Sequence, residues 1–314
     1  MKKYLTLLLS TVLFASLTSC TAKKSSEVGE IESKDTSFIV NYLGQDYSFD
    51  KKVGNIVLAS LEGMEDAAVL GIKAAGVLEV AGQVPKYLAE DFKDATLVGD
   101  KMKPNAEVIL GLNPDVIIGS SKLSEEVMAQ LNKIAVTLPY SHISANWKDN
   151  LLALGEITDK KDEANKLISD YEEKSLKAKE DIKNKYKDQN ILVIRVRKGL
   201  MYVYPADVYL NPVLYTDLGL KIPDIVTQAK AQAELTIETL AEINPDAIFL
   251  QFEDSENADA PEALNELLTN PIFESLEATK NNKVFVNTVE PLAQGGTAWS
   301  KVKFLDAVVD NLLK

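Results

Sequence analysis

The stretch EVILGLNPDVII, residues 107–118, recurs later in the chain as ETLAEINPDAIF, residues 238–249. Each copy places a glutamate eight residues ahead of an aspartate, with a proline directly before that aspartate and an apolar run after it. Each copy therefore predicts a short helix near the glutamate, followed by a buried strand. Because the copies lie 131 residues apart, the repeat predicts two similar lobes within one chain.

Strand-like and helix-like segments alternate around both copies. In the first half, NIVLAS (55–60) and AGVLEVAG (75–82) are short apolar runs typical of buried strands. In the second half, NILVIRV (190–196) and DAIFLQF (246–252) are similar runs. Since helical segments separate these runs, the pattern predicts a mainly parallel sheet in each lobe.

Residues 145–186, between the two halves, have helical periodicity, dense charge and no proline. Gly155 and the pair Thr158-Asp159 are expected to divide this segment into a short helix and a long one. The long part would span roughly 40 Å at 1.5 Å per residue. Its apolar positions are too sparse for a sustained heptad repeat, so we expect a rigid connection between the lobes rather than a coiled-coil arm.

The first twenty residues, MKKYLTLLLSTVLFASLTSC, have the features of a bacterial export signal. Lys2 and Lys3 provide a positive start, and the apolar stretch that follows is too short to span a bilayer comfortably. The ending LTSC (17–20) resembles a lipobox, which predicts a lipoprotein signal peptide at 1–19 and lipidation of Cys20. The expected location is the extracellular face of the cytoplasmic membrane. An ordinary signal peptide that ends near a cysteine is the alternative.

The composition excludes several classes of function. The formal net charge is −13, with 34 basic against 47 acidic residues, and such a surface repels nucleic acid. Cys20 is the only cysteine and His142 the only histidine. A cysteine–zinc or histidine-rich metal site is therefore excluded, and a Ser-His-Asp triad would depend on His142 alone. We expect a binding protein rather than an enzyme, without a cofactor and without protein ligands to a metal.

Several segments in fixed order carry a resemblance to a known family: the lipobox, VGD at 98–100, the two NPD repeats and the late GGTAWS at 295–300. Together they resemble the ABC-importer substrate-binding lipoproteins for siderophores, haem and vitamin B12. The resemblance implies an α/β fold of class III periplasmic-binding-protein type, with two Rossmann-like lobes of mainly parallel sheet joined by a single long rigid helix. It divides the chain into a signal peptide (1–19), a flexible tether (20–36), an N-terminal lobe (37–144), a connecting helical segment (145–187) and a C-terminal lobe (188–314).

The resemblance implies a role for the two repeated glutamates. In the family, one surface glutamate on each lobe docks onto arginines of the permease dimer, and Glu107 and Glu238 match those two positions. The implied partners are an ABC permease dimer with its ATPase, the ligand, and the membrane through the lipid anchor. The binding protein itself is expected to be a monomer. Favourable placement of an acidic residue in the first turn of each helix is the structural alternative.

The family binds several classes of ligand. Haem relatives use a methionine from the first lobe, matched here by Met102, and a histidine from the second lobe, where this chain has QFEDSEN (251–257) instead. Haem is therefore an alternative, and corrinoid binding is another. A ferric siderophore already saturates its iron with oxygen donors, so it needs only aromatic walls and hydrogen-bond donors from the protein. We expect an iron(III)–siderophore complex as the ligand.

The nearest resemblance within the family is to ferric hydroxamate, ferrichrome-type binding proteins, through GGTAWS and NPVLYTDLGL (211–220). One departure concerns the tryptophan–arginine pair that precedes this helix in those proteins. Tyr209 and Asn211 stand there instead. A triply anionic catecholate complex remains an alternative ligand, because its negative charge would favour the two arginines Arg195 and Arg197.

The expected ligand-binding residues come mainly from the second half. Arg195 and Arg197 alternate along a strand and face the same side, either towards the cleft or as an exposed strand end with ion pairs. Met102 is one further candidate, and the others are aromatic: Tyr202, Tyr204, Tyr209, Trp299 and Tyr140. Because Tyr202 and Tyr204 share a face of their strand, one of these two can belong to the core. His142 is expected to be a surface residue or a neighbour of the site rather than an iron ligand.

Overall fold

A computed structural model describes residues 37–313 of the chain. The predicted signal peptide, Cys20 and the predicted tether lie outside the described residues. Within 37–313, no helix combines the length and the apolar character needed to cross a bilayer.

The first half forms a small hairpin and a six-stranded sheet flanked by helices. Its elements in chain order are β1 (Phe38–Tyr42), β2 (Gln45–Phe49), β3 (Ile56–Ala59), α1 (Leu61–Val69), β4 (Gly76–Glu79), β5 (Thr96–Asp100), β6 (Lys103–Pro104), α2 (Ala106–Gly111), β7 (Val116–Ser120), α3 (Glu125–Asn132) and β8 (Val136–Tyr140). The sheet order is β6-β5-β4-β3-β7-β8, and all neighbours are parallel except β5 and β6.

The strands at the middle of this sheet are almost entirely apolar because both of their faces are covered. Every residue of β3 and of β7 is buried. The hairpin β1–β2 alternates buried and exposed positions, as expected where one face is solvated. Leu43 and Gly44 form its two-residue turn, and both have positive φ, the backbone conformation that suits the twist of a tight hairpin.

Two helices connect the halves. They are α4 (Trp147–Ile157) and α5 (Lys161–Tyr186), so the break falls at the predicted Thr158-Asp159 pair. With 26 residues, α5 is about 39 Å long at 1.5 Å per residue. Its buried positions recur every three, four or seven residues along one face, which packs against the body of the protein. The Tyr186 hydroxyl at its end donates a hydrogen bond of 3.0 Å to the Leu312 carbonyl near the carboxyl terminus.

The second half forms a five-stranded sheet with helices around it. Its elements are β9 (Ile191–Arg197), β10 (Leu200–Val203), α6 (Asp224–Gln228), β11 (Ala233–Leu235), α7 (Ile237–Ile243), β12 (Ala247–Phe252), α8 (Ala263–Leu268), α9 (Pro271–Glu274), α10 (Glu277–Lys280), β13 (Val284–Val286) and α11 (Ala298–Leu312). The sheet order is β11-β10-β9-β12-β13, in which β9, β12 and β13 are parallel and β10 is antiparallel to both neighbours.

The predicted fold, two α/β lobes with parallel-rich sheets and a long connecting helix, is confirmed. The two copies of the repeat adopt the same local structure, since a short helix (α2 or α7) leads into a fully buried strand (β7 or β12). The segment NPVLYTDLGL is helical as expected, but it is short and takes π-helical form at Val213–Asp217.

Candidate functional site

A pocket of about 500 Å³ lies between the two lobes. The first lobe contributes Leu61, which begins α1 two residues after β3, and Lys101, which directly follows β5. The second lobe contributes the end of β9 and the turn after β12. The pocket thus lies at the carboxyl ends of strands from both sheets, the usual place for a ligand in open α/β folds.

The pocket wall is basic although the chain as a whole is acidic. Within residues 37–313, four cationic side chains line it against one carboxylate, a net formal charge of +3, whereas the whole chain carries −13; these side chains are Lys101, Arg195, Arg197, Lys198 and Glu256. A local excess of positive charge in a concave site attracts an anionic ligand more strongly than the net charge of the protein suggests. The pocket therefore suits an anion.

Arg195 is held rigidly within the wall. Its Nε and one terminal nitrogen both contact Glu256 Oε2, at 2.9 and 2.8 Å, and its side chain is only 13% exposed. Its guanidinium lies over the Tyr209 ring at 5.1 Å, which adds a cation–π contact. Ion pair and ring together orient this arginine in the absence of ligand.

Arg197 is held more loosely. One of its terminal nitrogens lies 3.3 Å from Glu256 Oε1, and the other donates to Gln232 Oε1 at 2.8 Å. Its side chain remains 35% exposed. Gln232 Oε1 also accepts a 3.0 Å bond from the Tyr204 hydroxyl. Arg197 is the better placed of the two arginines to reach a ligand.

The backbone of this corner is fixed by Asn257, a residue that the sequence analysis did not single out. Asn257 is fully buried, and its amide donates to the carbonyls of Val196 and Glu253 at 3.0 and 2.8 Å. Its side-chain oxygen accepts from the Gly199 N–H at 3.0 Å. These bonds tie the turn that carries Glu256 to the β9–β10 hairpin that carries the arginines.

Glu256 was missed for an identifiable reason. The one informative feature of the segment QFEDSEN in the sequence is that it lacks the histidine expected for haem binding. Pairing a glutamate in that segment with two arginines 60 residues earlier depends on the parallel register of β9 and β12, in which Gln251 lies beside Arg195. No local pattern in the sequence contains that register.

Met102 lies beside the main pocket rather than in it. It lines a smaller cavity of about 200 Å³ that shares Lys101 with the main pocket, and its side chain is largely exposed. Glu62, in the wall of this cavity, accepts from Lys122 Nζ at 2.8 Å and from Ser60 Oγ at 2.8 Å. The two cavities together form one cleft with basic residues along its length.

Among the predicted tyrosines, only Tyr202 lines the pocket. Tyr204 and Tyr209 are buried behind the wall with their rings 5.3 Å apart, and they support Gln232 and Arg195. The structure corrects the expectation for Tyr140, which has no exposed surface and donates its hydroxyl to Asp66 at 2.8 Å. It is a core residue because its ring stacks on Tyr42 of β1 and its hydroxyl reaches Asp66 of α1.

Trp299 also lies outside the main pocket. Its ring packs on Tyr87 at a centroid distance of 4.8 Å, and the pair lines a separate groove with Glu290 and Lys303. The GGTAWS segment is turned away from the cleft because buried carboxylates hold it. Glu65 accepts hydrogen bonds from the Thr297 and Ser300 hydroxyls within this segment.

His142 hydrogen-bonds through Nδ1 to Ser121 Oγ at 2.8 Å. Partial burial and the nearby charge of Lys122 lower the pKa of His142. No group of three or more histidine, cysteine or acidic side chains within residues 37–313 is arranged to hold a metal ion.

The two repeated glutamates occupy matching positions. Glu107 and Glu238 are both exposed, and each is the second residue of its helix, α2 or α7. Asn105 caps α2 and Thr236 caps α7, each through its side-chain oxygen. The repeat in sequence therefore presents two equivalent carboxylates on the surface.

Comparison with known proteins gives a consistent result. The sequence model of the family described as "Periplasmic binding protein" matches residues 56–289. The chain is 43% identical to the iron-uptake system-binding protein of Bacillus subtilis (strain 168), over 99% of both chains. It is 27% identical to the iron(3+)-hydroxamate-binding protein YxeB of the same organism, over 73% of this chain and 71% of the relative.

A solved structure is similar over most of the described chain. It is the triscatecholate siderophore binding protein FeuA of Bacillus subtilis complexed with ferri-bacillibactin, with a TM-score of 0.80 and 45% identity. The match covers 88% of this chain and 98% of that one.

Proposed function

Because the chain belongs to the periplasmic binding protein family, we propose that it captures a ferric siderophore between its lobes and delivers it to an ABC importer for iron uptake. The inter-lobe pocket, basic and without a metal-binding cluster in the described residues, supports this function. Such a pocket suits a ligand that brings its own iron ligands and presents oxygens to the protein. The relatives named above are binding proteins for iron uptake, which agrees with a binding rather than a catalytic role.

The ligand that the pocket favours is a ferric triscatecholate, in place of the hydroxamate complex expected from the sequence. A ferric triscatecholate is triply anionic, whereas a ferric trihydroxamate is neutral. The net formal charge of +3 on the pocket wall suits the anionic complex. The triscatecholate-binding relative is also more similar to this chain than the hydroxamate-binding relative, with 45% against 27% identity.

Haem is not favoured by the arrangement of donors. Met102 borders the cleft, but the only histidine of the chain, His142, lies in the first lobe and is hydrogen-bonded to Ser121. The second lobe contributes Arg195 and Arg197 to the main pocket, and neither is an axial ligand for haem iron.

Delivery would use the surface glutamates and the lipid anchor. Glu107 and Glu238 would each pair with a cationic group of the permease dimer, which fixes the orientation of docking more than it adds affinity. Lipidation at Cys20 would keep the protein on the extracellular face of the membrane. Cys20→Ala should release the exported protein into the medium.

Isothermal titration calorimetry of the chain from residue 21 onward tests the ligand class. Ferri-bacillibactin, ferrichrome and haemin are titrated at low and high salt. We expect saturable binding of ferri-bacillibactin that weakens as salt increases, at least 100-fold weaker binding of ferrichrome, and a large loss of affinity in Arg197→Gln. Tighter binding of ferrichrome would overturn the catecholate assignment. Tight binding of haemin with a Soret shift that Met102→Ala removes would overturn the siderophore assignment.

A further inference from the structure

Glu256 is the one carboxylate among the described residues that line the pocket, and hydrogen bonds fix its backbone. The backbone carbonyl of Glu256 accepts a 3.0 Å bond from the Lys198 N–H, and the next residue, Asn257, is bonded to β9 at Val196 and to the hairpin turn at Gly199. The β9–β10 turn is itself tight, since Lys198 and Gly199 are its only two residues and both have positive φ. These bonds hold the turn that carries the carboxylate against the hairpin that carries the arginines.

The carboxylate holds its two arginines unequally. Oxygen Oε2 makes two short contacts with Arg195, whose guanidinium also lies over a tyrosine ring. Oxygen Oε1 makes one longer contact of 3.3 Å with the more exposed Arg197. An anionic ligand can compete for Arg197 by a side-chain rotation, whereas Arg195 would have to lose an ion pair and an aromatic contact.

We propose that Glu256 is an internal competing anion, which occupies Arg197 in the empty cleft and takes it back when the ligand leaves. The inference rests on the proposed function and adds a residue that sets the affinity and the rate of ligand release. A bound triply anionic complex would lie close to this fixed negative charge, so part of its attraction to the arginines is offset. Glu256 thereby limits affinity and favours dissociation towards the permease.

Glu256 could act as a structural support for the arginines or as a competing anion, and these two roles predict opposite results for Glu256→Gln. If the carboxylate only orients the arginines, the substitution weakens ligand binding, because the guanidinium groups lose their fixed geometry. If it competes with the ligand, the substitution strengthens binding of an anionic ligand and slows its dissociation. It also makes affinity more dependent on salt, because the net charge of the pocket increases by one.

The experiment measures affinity for ferri-bacillibactin by calorimetry at several salt concentrations and dissociation by stopped flow. For Glu256→Gln we expect about tenfold tighter binding, mainly through slower dissociation, and a steeper salt dependence. Asp254→Asn is the matched control, since it removes one negative charge from the exposed part of the same turn, outside the pocket lining. Its affinity should stay within about twofold of the unmodified chain.

A second variant keeps the test decisive if Glu256→Gln fails to fold. Gln232 is exposed and already accepts a bond from Arg197, so Gln232→Glu places a second carboxylate on the same arginine without changing the side-chain shape. We expect about tenfold weaker binding and a shallower salt dependence. Unchanged or weaker binding in Glu256→Gln, or unchanged binding in Gln232→Glu, would overturn the role of Glu256 while leaving the proposed function intact. Absence of ferri-bacillibactin binding by the unmodified chain would overturn the proposed function and this inference with it.

Discussion

Glu65, in the first helix, accepts a 2.5 Å hydrogen bond from the hydroxyl of Thr297, which lies 232 residues later and caps the last helix. The same carboxylate accepts from Ser300 Oγ at 2.6 Å, and the neighbouring Asp66 accepts from the Ala298 N–H at 2.8 Å. All of these donors are neutral. The final segment of the chain is thus fastened onto the first lobe by two adjacent buried carboxyl groups.

This arrangement predicts a specific dependence of stability on pH. Burial raises the pKa of Asp66 to about 8, well above its value of about 4 in an unfolded chain. Between these values the unfolded chain releases a proton that the folded chain keeps. The contribution of Asp66 to the free energy of unfolding is therefore fully present below pH ~4 and is lost as pH rises towards 8. The free energy of unfolding falls by up to about 1.4 kcal/mol per pH unit because of this group.

Urea unfolding at pH 5, 6, 7 and 8 measures that slope. Asp66→Asn should remove the contribution of this residue, so the unmodified chain should lose more stability across the range than the variant does. Burial also raises the pKa of Glu65, so part of the dependence should remain in the variant. Identical slopes for the two proteins would contradict the assignment.

Tyr140 and Tyr202 should respond oppositely to substitution, because one lies in the core and the other lines the pocket. Tyr140→Phe removes the hydroxyl that donates to buried Asp66, which should cost about 1–3 kcal/mol of stability without changing ligand affinity. Tyr202→Ala should weaken ferri-bacillibactin binding by about fivefold to tenfold. Calorimetry and urea unfolding of both variants decide the matter, and a loss of affinity in Tyr140→Phe would argue against its place in the core.

Substitution of the repeated glutamates should separate ligand binding from transport. Glu107 and Glu238 are exposed and do not line the pocket, so their joint replacement by alanine should leave ligand affinity unchanged. Uptake of iron from the ferric siderophore by cells should fall severely because docking loses both charged contacts. Glu125→Ala is a suitable control, since Glu125 is also an exposed acidic residue in the first turn of a helix. Full uptake by the double variant would exclude the docking role.

The buried lysine of the last helix should be important for stability. Lys301 Nζ lies 2.7 Å from Asp217 and within 5.5 Å of the ring centres of Trp147 and Tyr171. Lys301→Met should cost about 3 kcal/mol, the lower end for a broken buried pair, because Asp217 retains some contact with solvent. Combining it with Asp217→Asn should recover part of that loss. Additive effects of the two substitutions in urea unfolding would show that the pair is not coupled.

The sequence predicted the architecture well because its strongest signals are local. The repeat at 107–118 and 238–249 predicted two short helices that lead into buried strands, and α2, β7, α7 and β12 follow that prediction. The charged segment without proline predicted the connecting helices, including the break near Asp159. Periodicity and helix-breaking residues act over a few turns of chain, so a sequence contains them directly.

The sequence predicted the residues of the site less accurately than it predicted the architecture. Arg195, Arg197 and Tyr202 lie in the pocket wall, but Tyr140 is in the core, Trp299 faces another groove, and Glu256 and Asn257 were overlooked. Aromatic residues are suited to a pocket and to a core alike, so their type alone does not distinguish these places. Which side chains reach the cleft depends on how elements distant in sequence pack together.

The sequence by itself determined the two lobes, their connecting helix and the pair of equivalent surface glutamates, since each follows from spacing within a short stretch. Only the tertiary structure decided the charge of the cleft and the partners of its arginines. The register of β9 against β12 brings Glu256 to Arg195 and Arg197, and the bonds from Glu65 and Asp66 turn GGTAWS away from the pocket. Both results depend on contacts between residues that are tens to hundreds of positions apart in the sequence, and such contacts form only when the chain folds.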